Sequence, residues 1–110
     1  MDIIESWIEK PDSFLSNMTL SELFEMEEEY AEKIMKEGKD MKMYLGIIHA
    51  ILKPFAILIK RDKTFITILK QVIDVADELK ETDDMKRVEK LVNQQKDLVS
   101  EIIKFIKFKK

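Results

Sequence analysis

The chain contains no cysteine. That excludes disulfides and every metal site built on thiolates, and it suits a reducing cytoplasm. Glycine and proline occur only twice each in 110 residues, so long helices can run with few breaks. Arginine is nearly absent, with only Arg61 and Arg87. Scarce arginine argues against bidentate reading of bases or phosphates. There is one histidine, His49, and one tryptophan, Trp7. Glycine-rich phosphate loops, zinc-ligand spacings and nucleophile elbows are missing too. No apolar run is long enough to span a bilayer. The most apolar stretch, Leu45 to Ile59, has 15 residues and is interrupted by His49, Lys53 and Pro54, whereas a spanning helix needs about 20. Asp2 and Glu5 stand where a secretory signal carries positive charge. The expected location is therefore the cytoplasm.

What is present is helix-forming. Hydrophobic residues make up 45% and charged residues 37% of the chain, a balance that suits a folded domain rather than a disordered one. A single domain over residues 1–110 is expected. Leu20, Phe24, Ala31, Ile34, Gly38, Met41, Leu45, Ile48 and Leu52 recur mostly at steps of three or four. That rhythm buries one stripe of a helix against another helix. Because the phase persists through Gly38, the pattern predicts one long helix from about 20 to about 60. Gly38 would then allow close backbone approach, and Pro54 would kink the helix. The competing reading makes Gly38 a C-terminal cap, with a new helix from Asp40.

The remaining elements follow the same logic. Residues 2–9 predict a short helix with Asp2 and Glu5 placed as a capping box and Ile3, Ile4, Trp7 and Ile8 on one stripe. Pro11 ends it, and Phe14 and Leu15 are expected to tuck the connector down. Thr19 and Glu22 have capping-box spacing at the start of the main helix. Residues 64–80 predict a helix buried through Phe65, Ile68, Leu69, Val72, Ala76 and Leu79. Thr82 and Asp83 are candidate caps for a last helix over about 84–107. Its seam, Val88, Leu91, Gln95, Leu98, Ile102 and Phe105 or Ile106, repeats close to every 3.5 residues. The fold class is all-α: a helical bundle with a long, Pro54-kinked central helix and coiled-coil-like packing.

Charge is unevenly spread. Residues 1–40 hold 12 acids and four bases, and residues 41–110 hold 10 acids and 15 bases. Glu22, Glu25, Glu27, Glu28, Glu29 and Glu32 form an acidic row. Pairs one turn apart, such as Glu25 with Glu28 or Glu29 with Glu32, can hold Mg²⁺ when another helix adds oxygen ligands. Asp74 and Asp77 would be the second pair. This arrangement resembles the all-α nucleotide pyrophosphohydrolases of the MazG type, which use Glu-x-x-Glu followed by Glu-x-x-Asp, and the resemblance implies metal-dependent hydrolysis. It departs from that pattern in two ways. The second pair stands about 42 residues after Glu32, and Asp74 replaces a glutamate. A solvated acidic face near a helix N-terminus accounts for the same residues.

His49 lies among Ile47, Ile48, Ile51 and Leu52 without a Glu-x-x-His partner, since Gly46 occupies the position three before it. It reads as a packed or interface histidine. Gln95 is either a buried amide that sets register or a boundary residue with its amide in water. The C-terminal segment, residues 86–110, carries eight bases against three acids. Lys104, Phe105, Lys107, Phe108, Lys109 and Lys110 interleave charge with aromatics, a pattern suited to phosphates and bases or to an anionic membrane surface. Lysines complementing a helix C-terminus explain them equally simply.

The leading expectation is a non-enzymatic helical interaction or assembly protein without cofactor or metal. Its candidate interface is Gly38, Met41, Leu45, Ile48, Leu52 and Gln95. Met43, Ile47, Ile51 and Phe55 add apolar surface on a further face, so a second copy or another helical protein is the expected partner. A nucleic-acid-binding accessory protein using the basic C-terminus is the alternative, and the pyrophosphohydrolase is third.

Overall fold

The computed structural model describes residues 3–55 and 62–109, with side chains detailed except at 3, 5 and 106–109. Among these residues the chain is all helical, with no strand. The elements are α1 (Ile3–Ile8), a 3₁₀ turn (Leu15–Asn17), α2 (Leu20–Glu37), α3 (Met41–Leu52), a second 3₁₀ turn (Lys53–Phe55), α4 (Lys63–Glu81) and α5 (Met85–Lys109). The all-α class expected from the periodicity is what the chain adopts. Packing falls into two compact units, residues 1–56 and 57–110.

In the first unit, α2 begins where the capping box requires. The Thr19 hydroxyl oxygen accepts from the Glu22 amide at 3.2 Å, and the Glu22 carboxylate accepts from the Thr19 amide at 3.0 Å and its hydroxyl at 2.9 Å. Those donors hold the Glu22 carboxyl below the usual carboxylate range. The long central helix is not formed. Gly38 caps α2 in the left-handed region (φ 67°), its amide donating to the Ile34 carbonyl at 2.8 Å. Asp40 is also left-handed (φ 66°) and starts α3. Two left-handed residues within three cannot belong to a continuous right-handed helix. The unbroken apolar rhythm has another cause. An antiparallel helix pair turns the stripe of each helix toward the other, which constrains the number of loop residues but not backbone continuity.

Pro54 likewise does not kink a long helix. It has no amide with which to bond the Ala50 carbonyl, so α3 stops at Leu52 and tightens into the 3₁₀ turn. The expected continuation over 56–60 lies outside the described residues.

Helices α2 and α3 run antiparallel. Leu23 packs in one cluster with Ile47, Ala50 and Ile51, while Glu27, a turn further along α2, meets Tyr44, a turn earlier in α3. Leu15 joins that cluster with no exposure, anchoring the connector, but Phe14 stays half exposed at 50% instead of tucking in. Leu15 is admitted by Gly46, not Gly38. A Cβ on Gly46 would stand 3.3 Å from Leu15 Cδ1, whereas Gly38 is exposed. The α1 stripe expected from the sequence is buried at Ile4, Trp7 and Ile8. The capping role of Asp2 and Glu5 lies outside the described side chains.

In the second unit, α4 is capped by Asp62, whose carboxylate accepts from the Thr64 and Phe65 amides at 2.9 and 3.3 Å. Helices α4 and α5 form an antiparallel hairpin tied near its turn by Glu78 with Arg87, midway by Val72 with Gln95, and at its far end by Phe65 with Phe105. The cap of α5 is Asp84, accepting from the Lys86 amide at 3.1 Å. The predicted caps Thr82 and Asp83 stand before it, Thr82 accepting from the Asp84 amide at 3.4 Å. Most of the predicted faces are buried: Phe65, Leu69, Val72, Ala76 and Leu79 on α4, and Val88, Leu91, Gln95, Leu98 and Ile102 on α5; Ile68 and Phe105, expected there too, are half-buried, and Ile73 and Val75 are buried instead.

Candidate functional site

Side chains with chemical potential lie mostly in the first unit. Leu23, Glu27, Ala31 and Ile34 occupy the buried line of α2, at steps of four, four and three. Glu27 thus takes a core position and is 6% exposed. Its Oε1 accepts from the Tyr44 hydroxyl at 3.3 Å, in a buried contact. Burial pushes the Tyr44 hydroxyl above the ordinary tyrosine range, and the adjacent carboxylate pushes it further. By sequence Glu27 belongs to a solvated acidic row. Its spacing with Leu23 and Ala31 was the available signal that it turns inward. Glu22, Glu25, Glu28, Glu29 and Glu32 do face solvent.

On the other side of α3, His49 is 5% exposed and meets Trp7 of α1 edge to face, with ring centroids 3.7 Å apart. The single histidine and single tryptophan of the chain therefore join α1 to α3. His49 is a packed histidine, as its apolar neighbours suggested.

Around the cluster of Leu15, Leu23, Ile47, Ala50 and Ile51 lies a rim of half-buried apolar side chains: Met18, Leu20, Phe24, Met26, Tyr30 and Met43. On α2, Met26 stands four residues after Glu22 and three before Glu29, so carboxylates border the rim at one-turn spacing. Lys33 lies over the Tyr30 ring at 5.1 Å and pairs with Asp40 at 3.5 Å. Thioethers, aromatic rings and bordering carboxylates thus share this side of the first unit.

The sequence-derived interface residues are scattered. Leu45, Ile48 and Leu52 are at most 4% exposed, Met41 is half-buried, and Gly38 is in the exposed loop. Ile47 and Ile51, expected to be surplus, have no exposure either. The chain itself covers Leu45, Ile47, Ile48, Ile51 and Leu52 of α3, while Met41 and Met43 stay half-buried. Gln95 is completely buried, its Nε2 donating to the Val72 carbonyl at 3.0 Å while its Oε1 meets no donor among the described residues. The buried-amide alternative is therefore the one realised, within the α4–α5 hairpin.

Of the C-terminal candidates, Lys104 is exposed, and Phe105 packs its ring on Phe65 with centroids 5.4 Å apart. The side chains of Lys107, Phe108, Lys109 and Lys110 lie outside the described residues. No group of three or more acidic, histidine or cysteine side chains stands close enough to hold a metal ion among the described residues. No described helix is long and apolar enough to cross a membrane. Comparison with protein families, curated proteins and solved structures finds no match to this chain.

Proposed function

We propose that this is a non-enzymatic helical interaction protein that receives a basic amphipathic helix on the first unit. The observation that carries this reading is the half-buried rim of Met18, Phe24, Met26, Tyr30 and Met43, bordered by exposed carboxylates of α2. Half-buried methionines adapt to varied apolar shapes. Flanking carboxylates favour a partner helix that carries lysine beside its apolar face. Such a helix belongs to another protein; residues 102–110 of this chain (IIKFIKFKK) have a similar composition, but Ile102 and Phe105 are already packed in the α4–α5 hairpin.

The nucleic-acid alternative has less support. Phe105 is engaged with Phe65, which removes one stacking ring from the nucleic-acid reading. Exposed Glu89, Asp97 and Glu101 interrupt the basic face of α5.

Fluorescence anisotropy with a labelled amphipathic peptide of leucine and lysine, about five turns long, tests the reading. Binding that weakens with added salt and with Glu29→Lys or Met26→Gln is expected. Sedimentation velocity in the same buffers reveals whether a second copy is the partner. Absence of peptide binding at low salt, together with a monomer at every concentration, refutes it.

A further inference from the structure

We infer that Met18, Met26 and Met43 form an oxidation-sensitive seal on the core of the first unit, and that hydrogen peroxide opens this seal by converting them to sulfoxides. The chain has seven methionines and no cysteine, so thioethers are its only sulfur for two-electron oxidation. Their placement is uneven. Met18, Met26 and Met43 are half-buried and pack directly on Leu15, Leu23, Ile47, Ala50 and Ile51. They come from three different segments, the connector, α2 and α3, and each packs on the cluster that Leu15 of the connector joins. Met85 differs: it is 41% exposed at the start of α5.

In the reaction, a sulfur lone pair attacks one peroxide oxygen and the O–O bond breaks. The sulfur gains that oxygen and is oxidised by two electrons, while the other oxygen leaves as water after proton transfer. The product is a strongly polar acceptor on a side chain that had been apolar. Pressed against a cluster of leucine, isoleucine and alanine, the sulfoxide oxygen finds no donor in the cluster side chains, and burying it is unfavourable. It therefore turns to water and uncovers the cluster. Half-burial together with packing on the cluster is what makes this a switch; Met35 and Met41 are also half-buried but are not among the side chains packed on it. A fully buried sulfur would react only after unfolding, and a fully exposed one would react without consequence. The inference concerns the isolated chain and does not depend on the proposed helix partner.

The test is a peroxide time course on the full chain, with peptide mass mapping, thermal melting and binding of an apolar dye followed together. Met85 should gain oxygen first without a change in melting. Oxidation of Met18, Met26 and Met43 should then lower the melting temperature by on the order of 5–10 °C and raise dye fluorescence. Treatment with methionine sulfoxide reductases of both stereospecificities should restore the original melt. The triple substitution Met18→Leu, Met26→Leu, Met43→Leu conserves volume closely and should melt unchanged after peroxide, whereas Met85→Leu should give no protection. Should the triple variant fold poorly, the wild-type correlation between mapped oxygen and melting carries the same test. An unchanged melt with all three sulfurs oxidised overturns the inference. So does resistance of the three to peroxide in the folded chain, or an equal loss in the leucine variant.

Discussion

Gln95→Met should stabilise the chain, although it deletes a hydrogen bond. Gln95 has no exposure, and its Nε2 donates to the Val72 carbonyl at 3.0 Å. A typical intramolecular bond of this kind contributes about 0.5–1.5 kcal/mol net. Val72 lies inside α4, so its carbonyl keeps the helical bond from the amide four residues on when the glutamine is removed. No buried group is orphaned by the change. The other end of the amide matters more. Gln95 Oε1 is buried without a donor among the described residues, and a stranded buried acceptor costs about 1–3 kcal/mol. Methionine is unbranched, similar in length and apolar, and it adds buried apolar surface in the seam. The balance favours Gln95→Met by about 1 kcal/mol. Gln95→Ala serves as the contrast. It removes the same polar atoms but leaves a void, and should be less stable than the methionine variant by about 2 kcal/mol or more. Urea unfolding followed by circular dichroism measures both, with unchanged slopes showing that the unfolded reference is unaltered. If Gln95→Met loses more than about 1 kcal/mol, Oε1 is satisfied in solution and the amide stabilises the hairpin.

The break in the first unit makes Gly38→Ala destabilising by about 1 kcal/mol, because φ at 67° strains any L side chain; thermal melting that rises instead would refute the left-handed cap. At Gly46, alanine should be close to neutral, since the helix-propensity gain of about 1 kcal/mol offsets a Cβ placed 3.3 Å from Leu15 Cδ1. Gly46→Leu should lose about 1–3 kcal/mol by overpacking, and urea midpoints distinguish the two. Tyr44→Phe should cost about 1.5–3 kcal/mol at neutral pH, through the lost bond to the Glu27 carboxylate. Its pH profile should also change. The Tyr44 pKa is raised in the folded chain, so its contribution is fully present below the ordinary tyrosine value of about 10 and is lost as pH climbs toward the folded value. Wild-type stability should therefore fall more steeply above about pH 10 than that of Tyr44→Phe, measured by urea unfolding across that range.

Several elements were determined by the amino-acid sequence alone, and each is local. The Thr19–Glu22 capping box needs only a three-residue spacing and forms as such. The stripes of α1, α4 and α5 follow from helical periodicity, which holds whatever the partner. The scarcity of glycine and proline left helix as the simplest structure for most of the chain. What tertiary structure decided is which of two locally acceptable states each ambiguous residue takes. Gly38 suits both a seam and a cap, and the antiparallel return of α3 onto α2 requires the cap. Gly46 has no special spacing, and only the approach of Leu15 from a connector some thirty residues earlier gives its missing side chain a purpose. Glu27 reads as one more carboxylate in an acidic row until Tyr44, 17 residues later, supplies a buried donor. Gln95 could face water or the seam, and the carbonyl of Val72 draws its amide inward. Periodicity records which face of a helix is apolar. It does not record what lies opposite that face, and the state of a buried polar group or a glycine depends on that opposing surface.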